Sequence, residues 1–247
     1  MSERIVIKEI CEVYDGPHAT PKKTVDGPVY LGIDAITDDG KINAKEFAHL
    51  SEEDYIKWTK RVTPQYGDIV FSYEATLGRY ALIPKDFYGC LGRRLAIIRN
   101  VSKDIDTLWL YYYFLSPEWK QFIQSKIIKG STVNRISVED FPTYTVPNIS
   151  IKVQRKIANI LSKIDEKIAL NNNINDNLAA MAYDIYMHTF FSKKPNAKLK
   201  DILTEAEKSS IQVGEAKISN GKYPFFTSGS TILKWNEPFV DGRNCFL

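Results

Sequence analysis

Residues 151–191 read IKVQRKIANILSKIDEKIALNNNINDNLAAMAYDIYMHTFF, within a longer run, from Asn148 to Lys194, that contains neither proline nor glycine. In it Val153, Ile157, Ile160, Ile164 and Ile168 recur at steps of three or four residues, and Leu178, Met181 and Ile185 resume the stripe. That spacing places all of them on one face of a long amphipathic helix with coiled-coil character. At 1.5 Å per residue, roughly 40 residues span about 60 Å, more than one small domain covers, so the stripe is expected to meet a partner helix. Asn171 to Asn173 are weak helix formers, and a kink or break is expected there if anywhere.

Upstream the texture differs. From Ile5 to Pro147 short apolar and aromatic runs alternate with Gly, Pro, Asp and Thr: IVIKEICEVY, DGPHATPKK, VYLGIDAI, then GDIVFSY (67–73), GRYALIP (78–84) and RRLAIIR (93–99). Runs of this kind read as strands joined by turns. One helical interruption is predicted at DTLWLYYYFLSPEWKQFIQSKI, where Leu108, Tyr111, Tyr112, Leu115, Trp119 and Phe122 follow helical spacing as ordinary core. Downstream of Pro195 the strand texture returns. Lys200-Asp201-Ile202 echoes Lys8-Glu9-Ile10, and GKYPFFTSG from Gly221 echoes GPVYLGID from Gly27, which suggests a long-period repeat. The expected class is α+β: a strand-rich domain (1–148), a spacer helix (149–194), and the truncated start of a second copy of the first domain (195–247).

Composition narrows the function classes. A chain of 247 residues exceeds the usual single domain without reaching two plus a long connector. The 33 Lys and Arg against 30 Asp and Glu leave +3, so any basic footprint must be local rather than global. Cys11, Cys90 and Cys245 are widely spaced and form no CxxC, which suggests neither a zinc site nor a disulfide framework. The start MSERIVIKEI lacks a signal-peptide pattern and no run is long and apolar enough to cross a bilayer, so a soluble, cytoplasmic protein without membrane attachment is expected.

Each catalytic chemistry requires its own parts. There is no GxxxxGK[ST], no GxGxxG and no HExxH, and an amino-methyltransferase's cofactor glycines and Asn/Asp-Pro-Pro-aromatic pocket are missing. His18, His49 and His188 are remote from any Cys or Ser they would activate. Asp165-Glu166 falls on the polar side of the helical stripe and is read as a solvated face, not a metal-binding carboxylate set. No catalytic residue, metal or cofactor is assigned to the chain.

Three stretches carry a resemblance: EVYDGPHATPK, PQYGDIVFSYEATLGRYALIP, and KGSTVNRISVEDFPTYTVPNISIKVQRKIANILSKIDEKIAL. Together they resemble the specificity subunits of Type I restriction-modification systems. The most specific match is the order of a Gly-Ser-Thr loop (Gly130 to Thr132), Ile136-Ser137, a segment bounded by Pro142 and Pro147, and the helix opening from Gln154 to Asp165. The resemblance covers residues 5–191 as one complete half and 197–247 as the start of a second. It implies a non-catalytic subunit in which each recognition domain reads part of a split duplex-DNA target. The helices hold two readers apart and dock methyltransferase subunits, which would bring S-adenosylmethionine, and through them the restriction subunit. With one helix per chain, two copies are expected to pair, each contributing a helix. The runner-up is a helical dimerisation or adaptor protein that binds partner subunits without reading DNA.

A DNA reader needs donors on loops for base edges and cations for phosphates. The first loop supplies His18, Thr20, Lys22 and Lys23. YEATLGR supplies Tyr73, Glu74, Thr76 and Arg79, and KGSTVNR supplies Lys129, Ser131, Thr132, Asn134 and Arg135. Arg93 and Arg94 form a fourth basic spot. The arginines and Asn134 suit bases, the lysines phosphates.

Overall fold

Strand β5 (Ile69–Ser72) carries no exposed residue, and its neighbours explain why. In the computed structural model it is internal to a four-stranded antiparallel sheet ordered β2 (Cys11–Asp15), β8 (Leu95–Asn100), β5, β6 (Tyr80–Leu82). Because successive strand residues point to opposite faces, a strand covered on both sides carries apolar residues in both directions, and its one polar residue, Ser72, accepts the Arg79 N–H. Ile69, Phe71, Ala96 and Ile98 enter one buried cluster, whereas Val70, Leu95 and Ile97 enter another. The residues described are 3–130, 133–198, 201, 203 and 209–240.

Helices cover the first face. The sequence predicts a single helical interruption there, but the structure has two helices, α2 (Thr107–Leu115) and α3 (Pro117–Lys126). Ser116 closes one and caps the next, its hydroxyl accepting the Trp119 N–H, and Pro117 stands at the first position of α3. A residue before proline is driven out of helical geometry, so the break belongs at Ser116. The expected core residues are in the core: Tyr111 and Trp119 are buried, and the Trp119 indole donates to the Tyr80 hydroxyl at 2.8 Å. A further helix, α1 (Glu52–Trp58), was not expected despite a plain signature, Ser51 capping the Asp54 N–H ahead of three acidic residues.

The second face meets a three-stranded sheet, β4 (Ala48–His49), β3 (Thr24–Leu31), β7 (Gly89–Leu91). Strands β3 and β7 run parallel, with Val29 opposite Gly89. A side chain on Gly89 would collide with the Val29 carbonyl, so glycine permits the close approach. Strand β1 (Arg4–Val6) pairs antiparallel with β9 (Thr145–Pro147) in a separate two-stranded sheet just ahead of the long helix, with Val146 buried in the first cluster.

That helix, α4, runs unbroken from Ile151 to Tyr186, 36 residues, and passes into one π-helical turn at Met187–Phe191. The break allowed at Asn171 to Asn173 does not occur. Asparagine costs only about half a kcal/mol relative to alanine in a helix and, unlike proline, removes no backbone donor. The chain divides into two compact units, Met1–Asp176 and Asn177–Leu247, the division falling inside α4. In the second unit a short helix, α5 (Val213–Ile218), and an antiparallel hairpin of β10 (Tyr223–Phe225) and β11 (Leu233–Trp235) are described. Of the echo that suggested a repeat, Lys200 and Ile202 lie outside the described residues, as does Cys245. The mixed helix-and-strand class expected from sequence is the class observed.

Candidate nucleic-acid interface

Four loops distant in sequence emerge where β2 and β5 end and β8 begins, and backbone hydrogen bonds tie them together. The loop that follows β2 starts with the Gly16 N–H on the Leu95 carbonyl at 3.0 Å. The turn between β5 and β6 is anchored by the Tyr73 N–H on the Arg94 carbonyl (3.1 Å), and Gly78 takes the left-handed φ of +72° that closes it. Ile128 and Arg135 exchange both backbone hydrogen bonds (2.9 and 3.1 Å), which holds the two ends of the loop between them together. Arg135 also forms an antiparallel backbone bridge with Glu74, and the Ile136 N–H donates to the Tyr73 carbonyl at 2.8 Å, so the base of this loop lies along the β5–β6 turn. Arg94, at φ +73°, turns its side chain into an ion pair with Glu74 at 2.9 Å.

Side chains divide into committed and free. His18 pairs with Asp15 at 2.7 Å, and Arg61 reaches the same carboxylate at 3.9 Å. Tyr73 is buried, and burial followed by the nearby Asp15 carboxylate pushes its hydroxyl well above the usual phenol range. It serves as a wall beneath the loops, not as a surface donor. Glu74 is occupied by Arg94, and Thr76 stands half-buried in the turn. Arg79 is turned elsewhere, donating to Asp38 at 2.6 Å and to the Ile36 carbonyl at 3.0 Å. Lys22, Lys23, Arg93, Lys129 and Arg135 make no ion pair among the described residues. Thr20, Lys23, Arg93 and Arg94 share the wall of a cleft of about 350 Å³ with Asp34 and Glu46. Asn134 is exposed, and Ser131 and Thr132 lie outside the described residues. Arg61, which follows Lys60 ahead of Thr63-Pro64, is an exposed cation beside the first loop that sequence reasoning did not include.

Along α4 the predicted stripe separates into two sets. Val153, Ile160, Ile164 and Ile168 are about half exposed, and so are Leu178, Met181 and Ile185. Ile157 instead packs against the main core of its own domain, beside the buried Gln154 and Ala158. The Asp165 carboxylate accepts hydrogen bonds from Lys41 (2.7 Å) and Tyr112 (2.9 Å), and no group of side chains suited to a metal ion occurs among the described residues. No described helix is long and apolar enough to cross a membrane.

Residues 2–180, which include all four loops and most of α4, match the family model described as the Type I restriction modification DNA specificity domain. The chain belongs to this specificity family. Its fold is similar to the crystal structure of a Type I restriction-modification S subunit from M. genitalium, at 17% identity and TM-score 0.54, covering 96% of this chain and 63% of that one. The HsdS subunit of Thermoanaerobacter tengcongensis matches at 20% identity and TM-score 0.46, over 68% of this chain and 38% of that one. A chain from a type I R-M system studied for complex assembly and conformational transition matches at 19% identity and TM-score 0.47, over 74% and 43%. The specificity chain thus spans between 38% and 63% of the length of these relatives. No curated protein matches it.

Proposed function

We propose that the chain is a DNA sequence-specificity subunit of a Type I restriction-modification system, reading one part of a bipartite duplex target through its four converging loops. The observation that carries this reading is that convergence. Loops separated by up to about a hundred residues are tied to one another by backbone hydrogen bonds at one end of the sheet, and Lys22, Lys23, Arg93, Lys129, Asn134 and Arg135 are the donors they carry. Lysines bind phosphates as point charges, whereas arginine and asparagine suit the bidentate edges of guanine and adenine. Mixed charge on the rest of the surface is compatible with such a role, since only a local patch has to approach the duplex.

The exposed apolar stripe of α4 is the proposed docking face for a second helix, supplied by another copy of this chain, with methyltransferase subunits assembled around the pair. The restriction subunit would join through them. S-adenosylmethionine would be bound by the methyltransferase, and the complex would work in the cytoplasm. A dimer of identical readers recognises a palindromic interrupted sequence.

The test combines the chain with candidate methyltransferase subunits and maps methylated sites genome-wide. On duplexes carrying the motif so found, the double variant N134A/R135A is expected to reduce the ratio of matched to single-mismatch binding by at least about tenfold, the discrimination that one bidentate base pairing supplies. An unchanged ratio removes that loop from the reading surface. Methylation with no sequence preference would favour an adaptor role for α4 alone.

A further inference from the structure

The recognition domain grips α4 at two separate places. At the first, Gln154 is fully buried; its Oε1 accepts the Asp106 N–H at 2.7 Å, and its Nε2 donates to the carbonyls of Asp104 (3.0 Å) and Ile149 (2.8 Å). At the second, Lys41 and Tyr112 both donate to Asp165, and burial together with that carboxylate holds the Tyr112 phenol protonated. Lys41 ends a turn that is pinned on two further sides. The Tyr111 hydroxyl donates to the Gly40 carbonyl at 2.7 Å, and Arg79 grips Asp38 and Ile36. This turn is therefore a braced post, and Asp165 is fastened to it.

One attachment fixes a point on a helix, and two fix its direction. Gln154 and Asp165 are separated by about 16 Å of helix, and Asp176 lies about 33 Å beyond the pivot. A swing of about 10° around Gln154 would displace Asp176 by about 6 Å, against a rise of about 3.4 Å per base pair along each DNA strand. The direction of α4 therefore matters at the scale of single base pairs.

We infer that Lys41 and Asp165, with Gln154 as pivot, are specificity-determining positioning residues that set the direction of α4 and so the gap between half-sites accepted by the assembled reader. The inference rests on the reading of the chain as a half-site reader. It also gives Arg79 a place: this residue braces the post, and its guanidinium reaches bases only if that brace opens.

Two measurements test it. In the full chain with Cys245→Ser, spin labels at Lys60→Cys and Asn172→Cys report the domain-to-helix distance by pulsed EPR. The parent is expected to show one narrow distribution. D165A and K41A should each broaden it by up to about 5 Å, the displacement that a swing of about 10° produces at position 172, about 27 Å from the pivot, and the reversed pair K41D/D165K should narrow it again. Unchanged widths in both single variants overturn the inference. Separately, the chain assembled with its methyltransferase subunits selects from a pool of random-sequence duplexes. The parent should recover one gap length, and D165A the same half-site bases at mixed gaps. A single unchanged gap overturns the spacing role; a parent that selects no motif refutes the half-site reading itself, and the EPR widths then decide the geometry independently.

Discussion

Replacing Gln154 by methionine keeps the length and volume of the side chain while removing every polar atom, which isolates what its hydrogen bonds contribute. Three hydrogen bonds disappear, to the Asp106 N–H and to the Asp104 and Ile149 carbonyls, in a position with no exposure to solvent. At about 1 kcal/mol net per hydrogen bond, and more where a buried partner is left unsatisfied, Q154M should be destabilised by about 3 kcal/mol. Packing of Ile157 and Ala158 is untouched, so the effect reports polar satisfaction and not a cavity. Urea unfolding followed through the fluorescence of the buried Trp109 and Trp119 provides the assay. With a slope of about 2 kcal/mol/M, the midpoint should fall by about 1.5 M. K156M, close by on the exposed side, should stay within about 0.5 kcal/mol of the parent. A Q154M midpoint equal to that of K156M would refute the argument that this glutamine clamps the helix to its domain.

Other expectations follow from the same geometry. Removing Lys22 or Lys129 should reduce the slope of log K against log salt by about one for each phosphate left without its lysine, while the recognised bases stay the same; an altered motif at constant slope would make them base readers instead. Burial pushes the Cys11 and Cys90 thiols up from 9.0 to about 12, so peptides carrying them should resist alkylation in the native protein at pH 8 and label fully in urea. Because these folded-state values are raised, their contribution to stability is complete below pH 9 and is lost as pH climbs toward about 12, which a series of alkaline melts would reveal as a falling Tm. Gly40→Ala should destabilise by about 1–3 kcal/mol, since φ is +86° and a Cβ would stand 2.5 Å from the Tyr111 hydroxyl; an unchanged Tm would mean that the braced turn is free to relax.

The strands preceding α4 were legible because alternation and turn residues are local signals. GDIVFSY contains β5, GRYALIP contains β6, and RRLAIIR overlaps β8 in all but its final residue. Helix α1 was overlooked although Ser51 and its acidic first turn were in view, because a seven-residue helix offers too few turns for a periodic stripe. The candidate loops converge as a set of four, but the roles of single residues were not readable. Tyr73, Glu74 and Arg79 look like free polar groups in a glycine-bearing turn, yet one is buried and the others are ion-paired with residues 20 and 41 positions away. No local rule links Arg79 to Asp38, or Arg61 to Asp15.

By itself, then, the sequence determined what depends on neighbours along the chain: a strand-rich layer, a long amphipathic helix, and loops rich in donors. Only the tertiary structure decided which of those donors stay free and which face of the helix is already taken. Ile157 and Ile160 are equivalent by periodicity, but Ile157 lies on the side that Gln154 and Ala158 press into the domain, and Ile160 remains about half exposed. The physical reason is that helical spacing defines a face without naming its partner. The partner is set by hydrogen bonds between residues far apart in the chain, from Asp104 and Asp106 to Gln154 and from Lys41 to Asp165.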